Sequence, residues 1–195
     1  MPGPLDGIKI IEFTQIIAAP FGGMLLADMG AEIIKVEPLE GEPWRLHTEF
    51  IPKESKTFIG LNRGKKSLPL DLQSPEGLEI AQKLVADADV VIINARPDVP
   101  KNLGIDYETL SQINPKIIYC DNTAFGRRGP HGYGPGYDLI VQAMSGLLAA
   151  DTRLLTEYLN KSRLQPSLTT PPGLLLPGVL VQLCFPGKKP AKGKR

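Results

Sequence analysis

The chain has 195 residues, 22 Lys+Arg against 21 Asp+Glu, 42% hydrophobic and 22% charged, the mixture of an ordinary globular domain. Every charged residue past 160 is basic, seven in all, so a formal charge of +1 divides into a body of −6 and an end of +7. An acidic body excludes nucleic-acid binding as the work of the fold. Cys120 and Cys184 lie far apart without CxxC spacing, which excludes a disulfide scaffold or zinc site and suits a reducing, cytoplasmic setting. His47 and His131 are likewise isolated, so no metal is expected. The start MPGPLDG lacks the basic and apolar regions of a signal peptide. The most apolar run, 173–185, contains Pro177 and falls short of the roughly 20 residues that span a membrane, so no membrane association is expected.

In chain order, Ile8–Phe13 reads as a buried strand, followed by a polar-small turn from Thr14 to Pro20. A helix follows, with Phe21, Met24, Leu25, Ala27 and Met29 as its apolar stripe, Pro20 in its first turn and Gly30 as its stop. Ile33–Glu37 is a second strand, completing a parallel crossover unit. Residues 38–66 read as loop, closing on the charged turn Asn62-Arg63-Gly64-Lys65-Lys66. Ser67–Leu72 reads as an edge strand, because Pro69 cannot donate to a central ladder. Ser74 and Pro75 are N-cap and first residue of a helix whose apolar face is Leu78, Ile80, Ala81, Leu84 and Val85. Ala88–Ile93 and Lys116–Cys120 are further strands, with a short helix, Tyr107–Ile113, between them and a strongly apolar helix, Tyr137–Ala150, after them. The alternation predicts an α/β fold, a Rossmann-like, open, mostly parallel sheet. The pattern fails after Asp151, and the six prolines of 161–195 predict an irregular tail.

Four stretches together resemble the N-terminal part of the class III CoA-transferases, the group of formyl-CoA transferase, carnitine CoA-transferase and α-methylacyl-CoA racemase. They are LDGIKIIEFTQIIAAPFGGMLLADMGAEIIKVEP (5–38), NRGKKSLPLDLQSPEG (62–77), ADVVIINARP (88–97) and FGRRGPHGYGPGYDLIVQAMSG (125–146). The resemblance implies a family domain over 1–150 and a non-family tail over 151–195. It also implies transfer of CoA between an acyl-CoA and a free carboxylic acid through an enzyme-bound acyl anhydride formed on an Asp. No cofactor is bound permanently in such chemistry: coenzyme A and acyl-CoA are substrates. Family members are homodimers of interlocked subunits, an arrangement this truncated chain is not expected to keep. The segment carrying the nucleophilic Asp departs from the pattern here. No catalytic residue is assigned, and the chain is expected to be inactive in this form. Translation out of frame from about residue 152 is expected, because a shifted reading of one codon choice for the closing GKKPAKGKR restores a family-like KTGKGQ. The alternatives are a catalytically dead CoA-binding fragment and a racemase-like enzyme. Tyr137 disfavours the latter, standing where the racemase branch carries a His that works as acid and base.

The resemblance places CoA contacts at Gln15, Lys35, Arg63, Leu70, Asp71, Asn94 and Arg96. Asn94 and Arg96 follow a strand end, where open α/β sheets bind ligands and a guanidinium suits phosphate. Asn94 is also a natural strand-exit turn residue. Gln15 ends the first strand and either meets the ligand or caps the next helix. Arg63, with Leu70 and Asp71, resembles the family's wall for pantetheine and adenosine phosphate, although a solvated charged turn has the same composition. Lys35 sits where a sheet can reach a ribose phosphate. Pro38 stands where formyl-CoA transferase-like sequences offer an Arg, and Ala95 where the family usually has an aromatic.

Overall fold

The structure is a computed structural model describing residues 2–47, 49–52 and 54–150. The expectations for 151–195 therefore lie outside the described residues. The apolar runs found in the sequence become strands β1 (Lys9–Phe13), β2 (Glu32–Glu37), β6 (Val90–Ile93) and β7 (Ile118–Asp121). With β5 (Lys65–Pro69) they form one five-stranded parallel sheet in the order β5-β2-β1-β6-β7. From β1 the chain winds outward through β2 to β5, then returns to β6 on the other side of β1 and winds outward to β7. The reversal lies between β1 and β6, which is where doubly wound sheets open a crevice at their carboxyl ends.

Helix α1 (Ala18–Asp28) connects β1 to β2 and ends at Gly30, whose φ of +102° is the left-handed turn a glycine takes without strain. Helix α3 (Pro75–Ala86) begins as its sequence dictates: the Ser74 hydroxyl accepts from the Gly77 amide at 3.1 Å and Pro75 is the first helical residue. Helix α5 (Tyr107–Ile113) is capped by Asp106, whose carboxylate accepts from the Thr109 amide. Alternate residues of each strand face opposite layers. Ile11, Phe13, Val36, Val91 and Ile93 pack with Ala81 and Val85 of α3 and Leu110 of α5, whereas Ile10, Ile33 and Ile92 pack with Ala19 of α1.

Several elements differ from the sequence expectation. Residues 38–66 are not simply loop: they contain a 3-10 turn (Pro43–Arg45), a short antiparallel hairpin of β3 (Glu49–Ile51) and β4 (Glu54–Ser55), and helix α2 (Lys56–Asn62). The edge strand starts at Lys65 rather than Ser67, because the Lys65 ammonium turns inward to a carboxylate partner. A short helix, α4 (Val99–Asn102), follows β6. The last apolar helix, α6 (Asp138–Met144), breaks at Ser145 and Gly146, the latter at φ +79°, before residues 147–150 resume it.

Candidate functional site

At the carboxyl ends of β1, β2, β5 and β6 lies a cleft of about 460 Å³. Its walls include Gln15, Leu70, Asp71 and Asn94, four of the seven residues expected to meet ligand. Gln15 and Asn94 join across the strand-order reversal: the Gln15 amide donates to Asn94 Oδ1 at 2.9 Å, and Asn94 Nδ2 donates to the Gln15 carbonyl at 2.8 Å. Asn94 thus does form the strand-exit turn, while its loop also borders the cleft. The Leu70 amide donates to the Glu37 carbonyl at 2.9 Å, extending β5 into the wall, and the Asp71 carboxylate accepts from the Gln73 amide at 2.9 Å.

The three cationic candidates are placed differently. Arg96, two residues past Asn94, is exposed and paired with Asp98 at 2.9 Å. That carboxylate raises the Arg96 pKa and is itself held below its ordinary range by the guanidinium. Lys35 is 1% exposed, with Nζ donating to the Thr14 carbonyl at 2.7 Å and pairing with Glu42 at 3.1 Å. It therefore lies beneath the turn that carries Gln15, not on the cleft surface. Arg63 precedes β5 and pairs with Asp28 at 2.5 Å, at the amino edge of the sheet, away from the cleft. Its neighbour Lys65 is drawn inside, 2% exposed, to Glu12 at 2.9 Å, the Pro20 carbonyl at 2.8 Å and Asn62 Oδ1 at 3.0 Å.

These contacts belong to a buried polar array that the sequence reading left out. Register pairs Glu12 with Lys35 and Lys35 with Ser67, so the three share the face covered by α1. Thr14 Oγ1 donates to Glu12 at 2.6 Å. Arg45 donates through Nε and Nη2 to Glu37 at 2.8 and 2.7 Å and lies 3.9 Å over the Phe58 ring. Ser67 adds a bond to Glu37 at 2.8 Å. Helix α1 comes so close that a Cβ on Gly23 would stand 2.9 Å from the Glu12 carboxylate, which accounts for a glycine inside a helix. The available signal was a charged residue at alternate positions of otherwise apolar runs, in IIEF and IIKVE, because a charge in a buried strand requires a partner.

The array sets its own electrostatics. Burial opposes ionisation of Glu37, but Arg45, the Glu42 amide and Ser67 outweigh it and hold the carboxyl below its ordinary value. For Glu42 burial wins: its pKa is raised, although Lys35 and the Ile16 amide pull the other way. Burial likewise lowers the Lys65 pKa against the attraction of Glu12. Among the described residues no group of three His, Cys, Asp or Glu side chains could hold a metal ion, and no helix is long and apolar enough to cross a membrane.

The model of CoA-transferase family III matches residues 5–159. The chain is 43% identical over 154 residues to a succinate–glutarate CoA-transferase of Agrobacterium fabrum, covering 75% of this chain and 38% of that protein. It is 42% identical over 149 residues to an acetyl-CoA:oxalate CoA-transferase of Acetobacter aceti, covering 76% of this chain and 38% of that protein. The crystal structure of a CAIB/BAIF family protein from Brucella suis superposes with a TM-score of 0.71 at 42% identity, covering 75% of this chain and 40% of that one. The chain thus spans about two fifths of the length of the relatives it matches.

Proposed function

The chain belongs to CoA-transferase family III, and on that premise we propose that its carboxyl-edge cleft binds the CoA moiety of an acyl-CoA whose CoA is passed to a free carboxylic acid. The observation that carries this is the Gln15–Asn94 junction, which closes the floor of a cleft at the strand-order reversal with Leu70 and Asp71 on its opposite wall. Arg96, exposed and one residue past the cleft-lining Ala95, supplies a cation for a phosphate of the nucleotide. Lys35 and Arg63 are left out of this contact set, since one is spent beneath the turn and the other lies at the far edge.

In the transfer, a carboxylate attacks the thioester carbonyl, the C–S bond breaks, and CoA thiolate leaves an acyl anhydride on the enzyme. The acceptor carboxylate attacks the enzyme-side carbonyl of that anhydride and expels the donor acid, and the thiolate then attacks the acceptor's acyl carbonyl, giving the new thioester and freeing the enzyme carboxylate. Within this scheme residues 1–150 hold the nucleotide, in the cytoplasm. Residues past 159, where the family match ends, are a non-family end, and the 195-residue chain binds without turnover.

Titration of CoA into the 195-residue chain by calorimetry, alongside an assay of CoA exchange between succinyl-CoA and free dicarboxylic acids, tests this. Binding without exchange is the expected result. No saturable binding sinks the proposal, and turnover abolished by Asp151→Ala sinks its second half.

A further inference from the structure

The turn from Thr14 to Ile17 carries Gln15 to the cleft and holds the one non-glycine residue with positive φ among those described, Ile16 at +71°. A β-branched residue is strained there, and such a conformation persists only where surrounding groups impose it. No side chain caps α1, which starts directly after this turn. Asn94 holds Gln15 from the β6 side, and the other contacts to the turn come from β2 and the loop after it. The Lys35 ammonium grips the Thr14 carbonyl at 2.7 Å from below and lies 3.4 Å from Thr14 Oγ1. Glu42 pairs with that ammonium at 3.1 Å, and the Ile16 amide favours its charged form. Glu42 is 1% exposed and borders the cleft, yet neither carboxylate oxygen makes a hydrogen bond of ordinary geometry. A carboxylate buried on these terms costs stability that a hydrocarbon would not.

We propose that Glu42 and Lys35 are positioning residues: the buried pair clamps the β1–α1 turn in its left-handed form, so that Gln15 stays against Asn94 and aimed at the bound acyl-CoA. Glu42 sets the ammonium, and the ammonium sets the Thr14 carbonyl. The groups that act on Glu42 are Lys35 on β2, the Ile16 amide and, as a like charge, Glu37, and the Glu42 charge acts in turn on Lys65 of β5. The ligand in this inference rests on the CoA reading, whereas the state of the turn does not.

The test uses the 195-residue chain with two readouts, amide hydrogen exchange at residues 15–18 by NMR and CoA affinity by calorimetry. Glu42→Ala leaves Lys35 buried alone, so the double variant Lys35→Met/Glu42→Gln, which strands no charge, is the one relied on if the single variant does not fold. Either is expected to speed exchange at Ile16 and Ile17 beyond what its global destabilisation explains, with Ser74→Ala as the measure of a remote loss. CoA affinity is expected to fall about tenfold, the worth of a charge-assisted hydrogen bond. Adding Ile16→Gly, which accepts positive φ freely, should recover most of that affinity. Exchange that changes only with global stability, or affinity that Ile16→Gly fails to recover, overturns the clamp. If the unaltered chain binds no CoA, the functional reading fails, and the exchange data alone decide the clamp.

Discussion

Asn94 and Gln15, 79 residues apart in sequence, exchange two hydrogen bonds of 2.9 and 2.8 Å through one amide side chain and the backbone N–H and C=O of one residue. Both ends of the amide are used, so its orientation is fixed and its replacement by either a pure donor or a pure acceptor leaves a backbone group facing the wrong partner.

Asn94→Ala is accordingly expected to destabilise the fold by about 1 kcal/mol, since the pair is partly open to water. CoA affinity should fall more steeply than stability, because the junction forms the cleft floor. Thermal melts and calorimetry on the same preparation check this, and a variant with lowered melting temperature but unchanged affinity contradicts it.

Arg96→Ala is expected to leave the melting temperature unchanged, because the side chain is exposed and paired only with Asp98 among the described residues. Affinity for CoA should fall several-fold at low ionic strength and less at high salt, where screening already weakens the phosphate contact. Titration at two salt concentrations separates this from a loss of fold.

Glu37 predicts a pH dependence. Its carboxyl is held below the ordinary value of 4.5, so its contribution to stability is complete above that pH and is lost as acid protonates it in the folded state. Glu37→Gln should be less stable at pH 7 and show a flatter decline below pH about 4.5. Arg45→Met should cost about 3–5 kcal/mol at neutral pH by leaving a buried carboxylate without its guanidinium. Acidification should then relieve that loss instead of deepening it. Urea midpoints across pH 3 to 7 (a range set by the carboxylate reference values) are the measurement.

Ser74→Ala removes the hydroxyl that accepts from the Gly77 amide and is expected to cost about 1 kcal/mol. The same hydroxyl donates to the Asp71 carbonyl at 2.8 Å, but Asp71 also accepts from the Ser74 amide and keeps its place in the wall, so CoA affinity of the folded fraction should not change. A parallel loss of affinity would mean that the α3 start shapes the site.

Much of the architecture was legible because local chemistry and long-range packing agree. Ser74-Pro75 begins α3 as its residues require, and Tyr107–Ile113 is helical over the residues predicted. Where they disagree the sequence misleads. Helix α2 has seven residues, with Gly60 among them, and its local Ser55 cap at the Phe58 amide is joined by tertiary contacts: the Ser55 hydroxyl donates to the Trp44 carbonyl at 2.7 Å, and Phe58 is buried beneath Arg45. Lys65 looks like part of a solvated turn until Glu12, 53 residues earlier, draws it inside. Lys35 resembles a ligand contact for the same reason, since a lysine beside a strand end reads alike whether its ammonium faces phosphate or a buried glutamate. Gln15 and Asn94 line the cleft where the alternation itself predicts strand ends, whereas Leu70 and Asp71, read as lying inside the edge strand, were singled out by the resemblance alone.

The sheet therefore has two unlike sides. Under α3 and α5 the contacts are aliphatic and interchangeable, and losing one leaves the others intact. Under α1 and the 38–45 segment they include three acids, Glu12, Glu37 and Glu42, matched by three bases, Lys35, Lys65 and Arg45. A half-closed version of that side would trap unmatched ions out of water at several kcal/mol each. It should consequently open and close as one unit, with α1 lifting away only when the Pro38–Arg45 segment lifts with it. Its protected amides should share a single opening free energy, while those beneath α3 grade off gradually toward the surface.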